Sequence, residues 1–424
     1  MPDRHAIGID FGTTNSVVAV RQPDGRVTTA RFAFGAAEVD VFRSLLCFWS
    51  EEGRGRSILH HAAGPAAIRA YLDDPLDSRL IMSMKTYLAQ RSFSQTRVFN
   101  RPFTLEQLVG GFLRALFAAT PHLAAEARIV AGRPVHFAGE TADDALGEAR
   151  LRGSYAEAGH PDIAVALEPE AAGYRFGRTL EHPTTVLVGD FGGGTSDFSV
   201  LRFEPGSARR VTALGHAGIG IAGDTFDYRI IDHVIAPRLG KGDTYKVLNH
   251  HLPVPPEYYG NFARWHRLSL MRTPRMLREL EEVARACAHP ERLRTLITLI
   301  NDELGYQLYQ SVSEAKAALS RSAAVTLRFR HKEFALAETI SRADFESWIA
   351  QDLDRISATV DKALHAAGLG DRQIDRVFLT GGTSFIPAIR ALFEARFGPD
   401  IASGGGEFVA VAEGLALLGA DLPG

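Results

Sequence analysis

Two short segments carry the residue types from which a phosphate site can be built. The first reads Asp10-Phe11-Gly12-Thr13-Thr14-Asn15 and the second Asp190-Phe191-Gly192-Gly193-Gly194-Thr195. Glycine has no Cβ and reaches positive φ at little cost, so successive backbone N–H groups can converge on one anion. The hydroxyls of Thr13, Thr14 and Thr195 add further donors. A carboxylate just before such a turn repels a bare phosphate and makes chemical sense only beside a cation. Mg²⁺, which takes one or two carboxylates together with water and phosphate oxygens, fits Asp10 and Asp190. The two turns are thus the parts for holding the phosphates of a magnesium nucleotide. A third turn, Gly381-Gly382-Thr383, ends a strand pattern and precedes a helix pattern, where glycines let a flat ligand approach the backbone.

These turns sit inside an internal echo. Residues 7–20 read IGIDFGTTNSVVAV and residues 187–200 read LVGDFGGGTSDFSV, so Asp10, Phe11, Gly12, Ser16 and Val20 each find an identical residue 180 positions later. Each copy is an apolar run, a glycine-bearing turn and a second apolar run, which predicts a β-hairpin. Two hairpins half a chain apart predict two related lobes, 1–183 and 184–424. Helix patterns are read at 105–118, 141–159, from Asp224, at 386–397 and at 410–418; strand patterns are read at 127–131, 163–167 and 377–380. Residues 245–305 carry Pro253, Pro255 and Pro256 and then mostly helical, Arg-rich sequence such as Arg275–Ala288, and are read as part of a helical subdomain over about 235–320. The Arg-rich run 264–294, interleaved with Glu279, Glu281, Glu282 and Glu291, reads first as a solvated helical face and second as a partner surface.

Composition narrows the function classes. The 424 residues carry 47 Lys and Arg against 50 Asp and Glu, for a formal net charge of -3. No run of five or six basic residues occurs, which argues against an electrostatically driven nucleic-acid binder. The two cysteines, Cys47 and Cys287, have no ligand spacing for zinc and point to a reducing, cytoplasmic setting. The N-terminus lacks a signal-peptide pattern, and no stretch of about 18 apolar residues predicts a membrane span. The pairs His60-His61 and His250-His251 are adjacent, so on a helix they would point apart, and no carboxylate supports a metal reading. No G-x-S-x-G elbow supports serine hydrolase chemistry.

In order along the chain, IGIDFGTTNS, ALEPEAAGY, VLVGDFGGGTSDFSVL, GDTFD and VFLTGGTSFIP resemble the nucleotide-binding domain of the seventy-kilodalton heat-shock protein family, DnaK-like, from residue 6 to about 418. The resemblance implies an α/β, actin-like ATPase fold, two related lobes around a nucleotide cleft, with ATP or ADP and Mg²⁺ as cofactors. It implies a first phosphate site at Asp10, Gly12, Thr13, Thr14 and Asn15, and a second at Asp190, Gly192, Gly193, Gly194 and Thr195. Asp10, Asp190 and Asp197 match the family's acidic residues around Mg²⁺ and its waters, with Asp10 and Asp190 as the metal residues, held through water. Glu168 matches the glutamate that places the attacking water, and Pro134 a proline that relays nucleotide state. Lys316, Ser320, Gly381, Gly382, Thr383 and Phe385 match the adenosine contacts.

The departures bear on turnover. In the family's G-x-A-A-K pattern, Gly64-Pro65-Ala66-Ala67 is followed here by Ile68, and Lys85 matches a different family lysine. Ala317 and Phe385 stand where two arginines sandwich adenine, and no hydrophobic linker or peptide-binding domain is expected. Loss of a lysine near the terminal phosphate is expected to slow hydrolysis by about two to three orders of magnitude, at ~3–4 kcal/mol of lost stabilisation. The expected function is therefore an ATP-binding, chaperone-like conformational switch with slow hydrolysis, acting on an unknown protein partner or client. The alternatives are an ATP-binding scaffold without turnover, a small-molecule kinase of the same fold with Asp197 or Asp224 as base, and, more weakly, a filament-forming protein.

Overall fold

The strand Thr184–Phe191 is buried at every residue, and Ala6–Phe11 at every residue but Asp10. That is the pattern of strands covered on both faces. The computed structural model of the protein describes residues 5–22, 24–34, 37–53, 56–74, 77–120, 127–138, 141–177, 181–204, 211–263, 271–302, 304–332, 334–399 and 409–422; Met1–Arg4 and residues 264–270 of the Arg-rich run lie outside them. The chain divides into two units, Met1–Gly223 with Asp354–Gly424, and Asp224–Leu353.

The first unit is built on the two hairpins. Ala6–Phe11 pairs antiparallel with Asn15–Arg21, placing Asp10 opposite Val17 and Phe11 opposite Ser16. Thr184–Phe191 pairs antiparallel with Ser196–Phe203, placing Asp190 opposite Asp197 and Phe191 opposite Ser196. The two registers are the same under the 180-residue shift. The neighbours follow suit: Ala6–Phe11 also pairs in parallel with Arg128–Arg133, as Thr184–Phe191 does with Arg376–Thr380. Each sheet therefore delivers an acidic residue and a small-residue turn to the carboxyl end of a central strand.

Two helices join the sheets. Val130 of one sheet, Val186, Val188, Leu201 and Phe378 of the other, Ala171 and Ala172 of helix Glu168–Gly177, and Val411 and Leu415 of helix Ala410–Asp421 form one buried cluster. The terminal helix is apolar on nearly all sides, as a helix enclosed by the core must be. On the other side of the first sheet pack helices Leu105–Ala118 and Asp144–Glu157. The former starts with a Thr104/Gln107 capping box and the latter with Asp143 accepting from the Leu146 N–H; such caps satisfy donors that a helix start leaves open.

The second unit holds helices Pro256–Phe262, Pro274–Ala286, Pro290–Asn301 and Gly305–Leu319 with hairpins Thr244–Pro253 and Ala324–Ser341. Two expectations are corrected here. The stretch from 245 opens as a β-hairpin, not a helix: Pro253 closes its second strand, and Pro256 starts the first helix, where a missing N–H costs nothing. The Arg-rich run is not one helix either. It breaks at Cys287, which is extended, ahead of the helix that begins at Pro290. Leu280, Val283 and Ala284 face inward while Arg285 pairs with Glu281 at 3.3 Å on the outside. Inside this unit Asp352 takes a two-pronged contact from Arg229 at 2.8 and 3.0 Å.

The histidine pairs also lie on strands. His60 and His61 are in Arg56–Ala63, opposite Trp49 and Phe48, and His60 stacks on Trp49 with ring centroids 5.7 Å apart. His250 and His251 are in His250–Pro253. Alternation along a strand sends such neighbours to opposite faces, so neither pair can chelate one ion.

Candidate functional site

Within the first unit the two glycine turns meet. A methyl group placed on Gly194 would lie 3.3 Å from Thr13 Oγ1 and 3.8 Å from Thr86 Oγ1. Gly12 is required by space, since a Cβ there would lie 2.1 Å from the Asn15 carbonyl oxygen. The expected positive φ is not how these turns use glycine: neither Gly12 nor Gly192, Gly193 or Gly194 is in the left-handed region. The absence of a side chain, which keeps backbone N–H groups uncovered, is the operative property. The second turn closes with the Gly192 N–H donating to the Thr195 carbonyl at 2.9 Å. In the first, Asn15 accepts from Arg43 at 2.9 Å, and the Ser44 N–H donates to the Thr14 carbonyl at 2.9 Å.

The third turn joins the second. Gly381 has φ +85°, and a Cβ on it would lie 2.1 Å from the Phe191 carbonyl oxygen, so both conformation and space demand glycine. The Thr383 hydroxyl donates to the Gly192 carbonyl at 3.3 Å. Gly382 is exposed, and Phe385 presents its ring to solvent at 39% exposure.

Four carboxylates gather under the turns. Glu168, Asp190 and Asp197 are buried and Asp10 is partly so. Burial, and then the charge of Glu168, push Asp10 up to about 7, with Lys85 opposing. Asp197 is likewise pushed up to about 7 by burial and Glu168, against hydrogen bonds from Thr195 and the His136 N–H. Asp190 is held well above the ordinary carboxylate value by burial and by Glu168, Asp10 and Asp197. Asp197 also has a mechanical part: its Oδ1 accepts from the Val135 and His136 N–H groups at 2.9 and 3.3 Å, gripping the backbone just after buried Pro134.

Lys85, matched to a family lysine from the sequence but given no role there, belongs to this site. Its Nζ donates to Glu168 Oε1 at 2.6 Å, and both side chains are almost wholly buried. Burial alone would lower its pKa, but Glu168, Asp10 and Asp190 more than offset this and hold it above the ordinary lysine value. The expected loss of a cation at this place is therefore corrected. Ile68 is buried in helix Gly64–Asp73, and the cation arrives instead from the 3₁₀ turn Met84–Tyr87. Its partner is 83 residues away along the chain, so the pairing itself required the fold. Gly132 makes the room: a Cβ there would lie 2.9 Å from Glu168 Cγ.

One lysine is outnumbered by these four carboxylates, three of them buried, and hard oxygen donors suit Mg²⁺. Among the described residues no group of three or more His, Cys, Asp or Glu is arranged to hold a metal alone. A Mg²⁺ here would be held by Asp10 and Asp190 at most, completed by water and phosphate oxygens, and the residues present fit it.

Lys316 and Ser320 belong to the second unit, on and just after helix Gly305–Leu319. Lys316 donates to Asp227 at 2.8 Å, and Tyr309 to Asp224 at 3.0 Å; Asp224, weighed above as a base, is thus in a hydrogen bond. Ala317 is exposed. No helix among the described residues is long and apolar enough to cross a membrane.

A family model described as Hsp70 protein matches residues 157–244 and 293–424. The match includes the second hairpin, Glu168, Lys316 and the third turn. It omits residues 245–292 and the first 156 residues, whose hairpin has the same register as the second. More than half of the chain is covered, its sheets have the α/β make-up of the actin-like ATPase fold, and the chain belongs to the Hsp70 family.

Proposed function

We propose that the protein binds Mg-ATP at the paired turns, hydrolyses it slowly to ADP and phosphate, and uses the nucleotide state as a chaperone-like conformational switch. The observation that carries this reading is the meeting of Thr13 and Gly194, which aims two small-residue turns at one place above Asp10 and Asp190. Their backbone N–H groups and threonine hydroxyls suit phosphate oxygens. When bound, Mg²⁺ offsets charge on the phosphates. Glu168, fixed by Lys85, is placed to orient a water for attack. Asp197 offers a route for the switch. It sits in the same strand register as Asp190 and holds the backbone after Pro134, so a shift in the second turn on loss of the terminal phosphate is passed to that segment.

The buried Lys85 favours turnover over the scaffold reading, because phosphoryl transfer depends on cations that offset transition-state charge. Gly381–Phe385 are the proposed adenosine contacts, with the exposed Phe385 as the aromatic residue that would stack on a base.

Calorimetric titration of ATP with Mg²⁺ is expected to give saturable heat, lost in EDTA. By mass action, ligand at 100 times its Kd stabilises the folded state by about 2.7 kcal/mol, a clear thermal shift. Absence of both heat and shift at millimolar ATP and Mg²⁺ would reject the reading.

A further inference from the structure

We infer that His216 is a positioning residue for Glu168, strapping the first turn of helix Glu168–Gly177 to the strand Ser196–Phe203. This rests on the Mg-ATP reading and names a residue outside the three turns and the carboxylates beneath them. His216 lies in strand Val211–Ile219, directly opposite Ser199. Its Nδ1 is 2.6 Å from the Ser199 hydroxyl, and its Nε2 is 3.4 Å from Glu170 Oε1. The Glu170 carboxylate favours a proton on Nε2, which leaves Nδ1 to accept from the Ser199 O–H. Serine, histidine and glutamate are the residue types of a hydrolytic triad. Ser199 is wholly buried, however, so its hydroxyl anchors the imidazole rather than attacking a substrate.

Three contacts fall in order along one face of the strand Ser196–Phe203, onto which Leu201, Ser199 and Asp197 alternate. Leu201 packs against Gly173 of the helix, where a Cβ would lie 2.4 Å from Leu201 Cδ1. Ser199 reaches Glu170 through His216. Asp197 senses Glu168, whose charge helps to raise its carboxyl. The helix therefore runs along the strand with its start at the site, and Glu168 meets a carboxylate there that repels it. Lys85 holds Glu168 itself, at 2.6 Å. Glu170 leaves the helix about 200° further round its axis, so His216 grips the same turn from a second side. His216 is also fixed relative to Asp197. Two residues on from it, Gly218 passes so close that a Cβ would lie 2.5 Å from Asp197 Oδ1. Loss of His216 thus removes the contact that stops the helix start from swinging away from Asp197 about Lys85.

The test uses the full chain with His216→Ala, His216→Gln, Glu170→Ala, Glu170→Gln and the double alanine variant. It measures ATP and ADP affinity, single-turnover ADP formation at saturating Mg-ATP, and melting temperature. His216→Ala should slow ADP formation about 10- to 100-fold, as displacement of a positioned group does, while both affinities stay within about threefold. Glu170→Ala should slow it comparably, and the double variant should be no slower than His216→Ala, because the same contact is lost in each. Glu170→Gln keeps an oxygen facing Nε2 and should stay within about threefold of the wild-type rate. His216→Gln should recover part of the rate lost in His216→Ala. If His216→Ala lowers only the melting temperature, if it weakens ATP binding with the rate at saturation unchanged, or if the two alanine losses multiply in the double variant, the assignment is overturned while Mg-ATP binding stands. Should His216→Ala not fold, Glu170→Ala against Glu170→Gln decides, and equal rates overturn the assignment. A wild type that binds Mg-ATP without turnover overturns it with binding intact; one that binds no Mg-ATP overturns both.

Discussion

Replacing Gly414 with alanine is expected to lower the stability of the first unit by about 3 kcal/mol or more, read as a shift in the denaturant midpoint at unchanged slope. In an exposed helix the same change would raise stability by up to about 1 kcal/mol. Here a Cβ on Gly414 would lie 1.7 Å from the Ala171 carbonyl oxygen, so the two helices touch backbone to backbone. The same helix leaves no slack on its other side. A Cβ on Gly8 would lie 2.0 Å from the Ala412 carbonyl oxygen, and one on Gly419 would lie 2.7 Å from Val130 Cγ2. The terminal helix therefore cannot move away from Ala171 without pressing into the first sheet. Gly153, in helix Asp144–Glu157, is the contrast: a methyl there meets only Glu106 Cγ at 3.4 Å, and Gly153→Ala should be neutral or stabilising. The damage at Gly414 also reaches the site, because helix Glu168–Gly177 contains both Ala171 and Glu168. Any Gly414→Ala protein that folds should turn over ATP more slowly than its folded fraction explains.

How much of this was legible in the sequence follows the range of the interactions. The hairpins are local: an apolar run, a D-F-G turn and a second apolar run fix their own pairing, and the 180-residue echo carried over to an identical register. The helix at 105–118 and most of the last one, read at 410–418 and running to Asp421, were legible for the same reason, from apolar spacing and from the turn residues around them. The strands carrying the histidine pairs were not. Arg56–Ala63 owes its extended form to pairing with Leu45–Gly53, and the adjacent histidines give no period of their own. Lys85 was hidden more deeply. It was matched to a family lysine without a role, and its meaning comes from Glu168, which a different sheet and a glycine at position 132 bring to it. Asp197 was legible as an acidic residue of the second hairpin, but its grip on the Val135 and His136 N–H groups required the fold. The glycines of the turns were recognised for conformational freedom, whereas the packing uses them for their missing side chain.

Asp10→Asn should separate stability from function, with opposite signs in two conditions. In the metal-free, nucleotide-free protein the Asp10 carboxyl is pushed up to about 7 from an ordinary value of 3.8. Between those values the folded state holds a proton that the unfolded chain has lost. The stabilisation is complete below about pH 4 and disappears as pH rises through 7. Asparagine has the same shape and no charge, so the variant should match the wild type near pH 4. At pH 8 in EDTA it should be more stable, by about 1–3 kcal/mol once solvent screening of this partly exposed group is allowed for. Added Mg-ATP should reverse the order, because the wild type gains a bound cation between Asp10 and the phosphates and the variant loses half of that carboxylate pair. Single-turnover ADP formation should fall about 100- to 1000-fold in the variant. Two melting curves at pH 8, with EDTA and with Mg-ATP, check the crossing. Equal signs in both would mean that Asp10 is an ordinary buried carboxylate. A crossing would mean that the chain keeps a destabilising charge next to Glu168 because the ligand, rather than the fold, neutralises it.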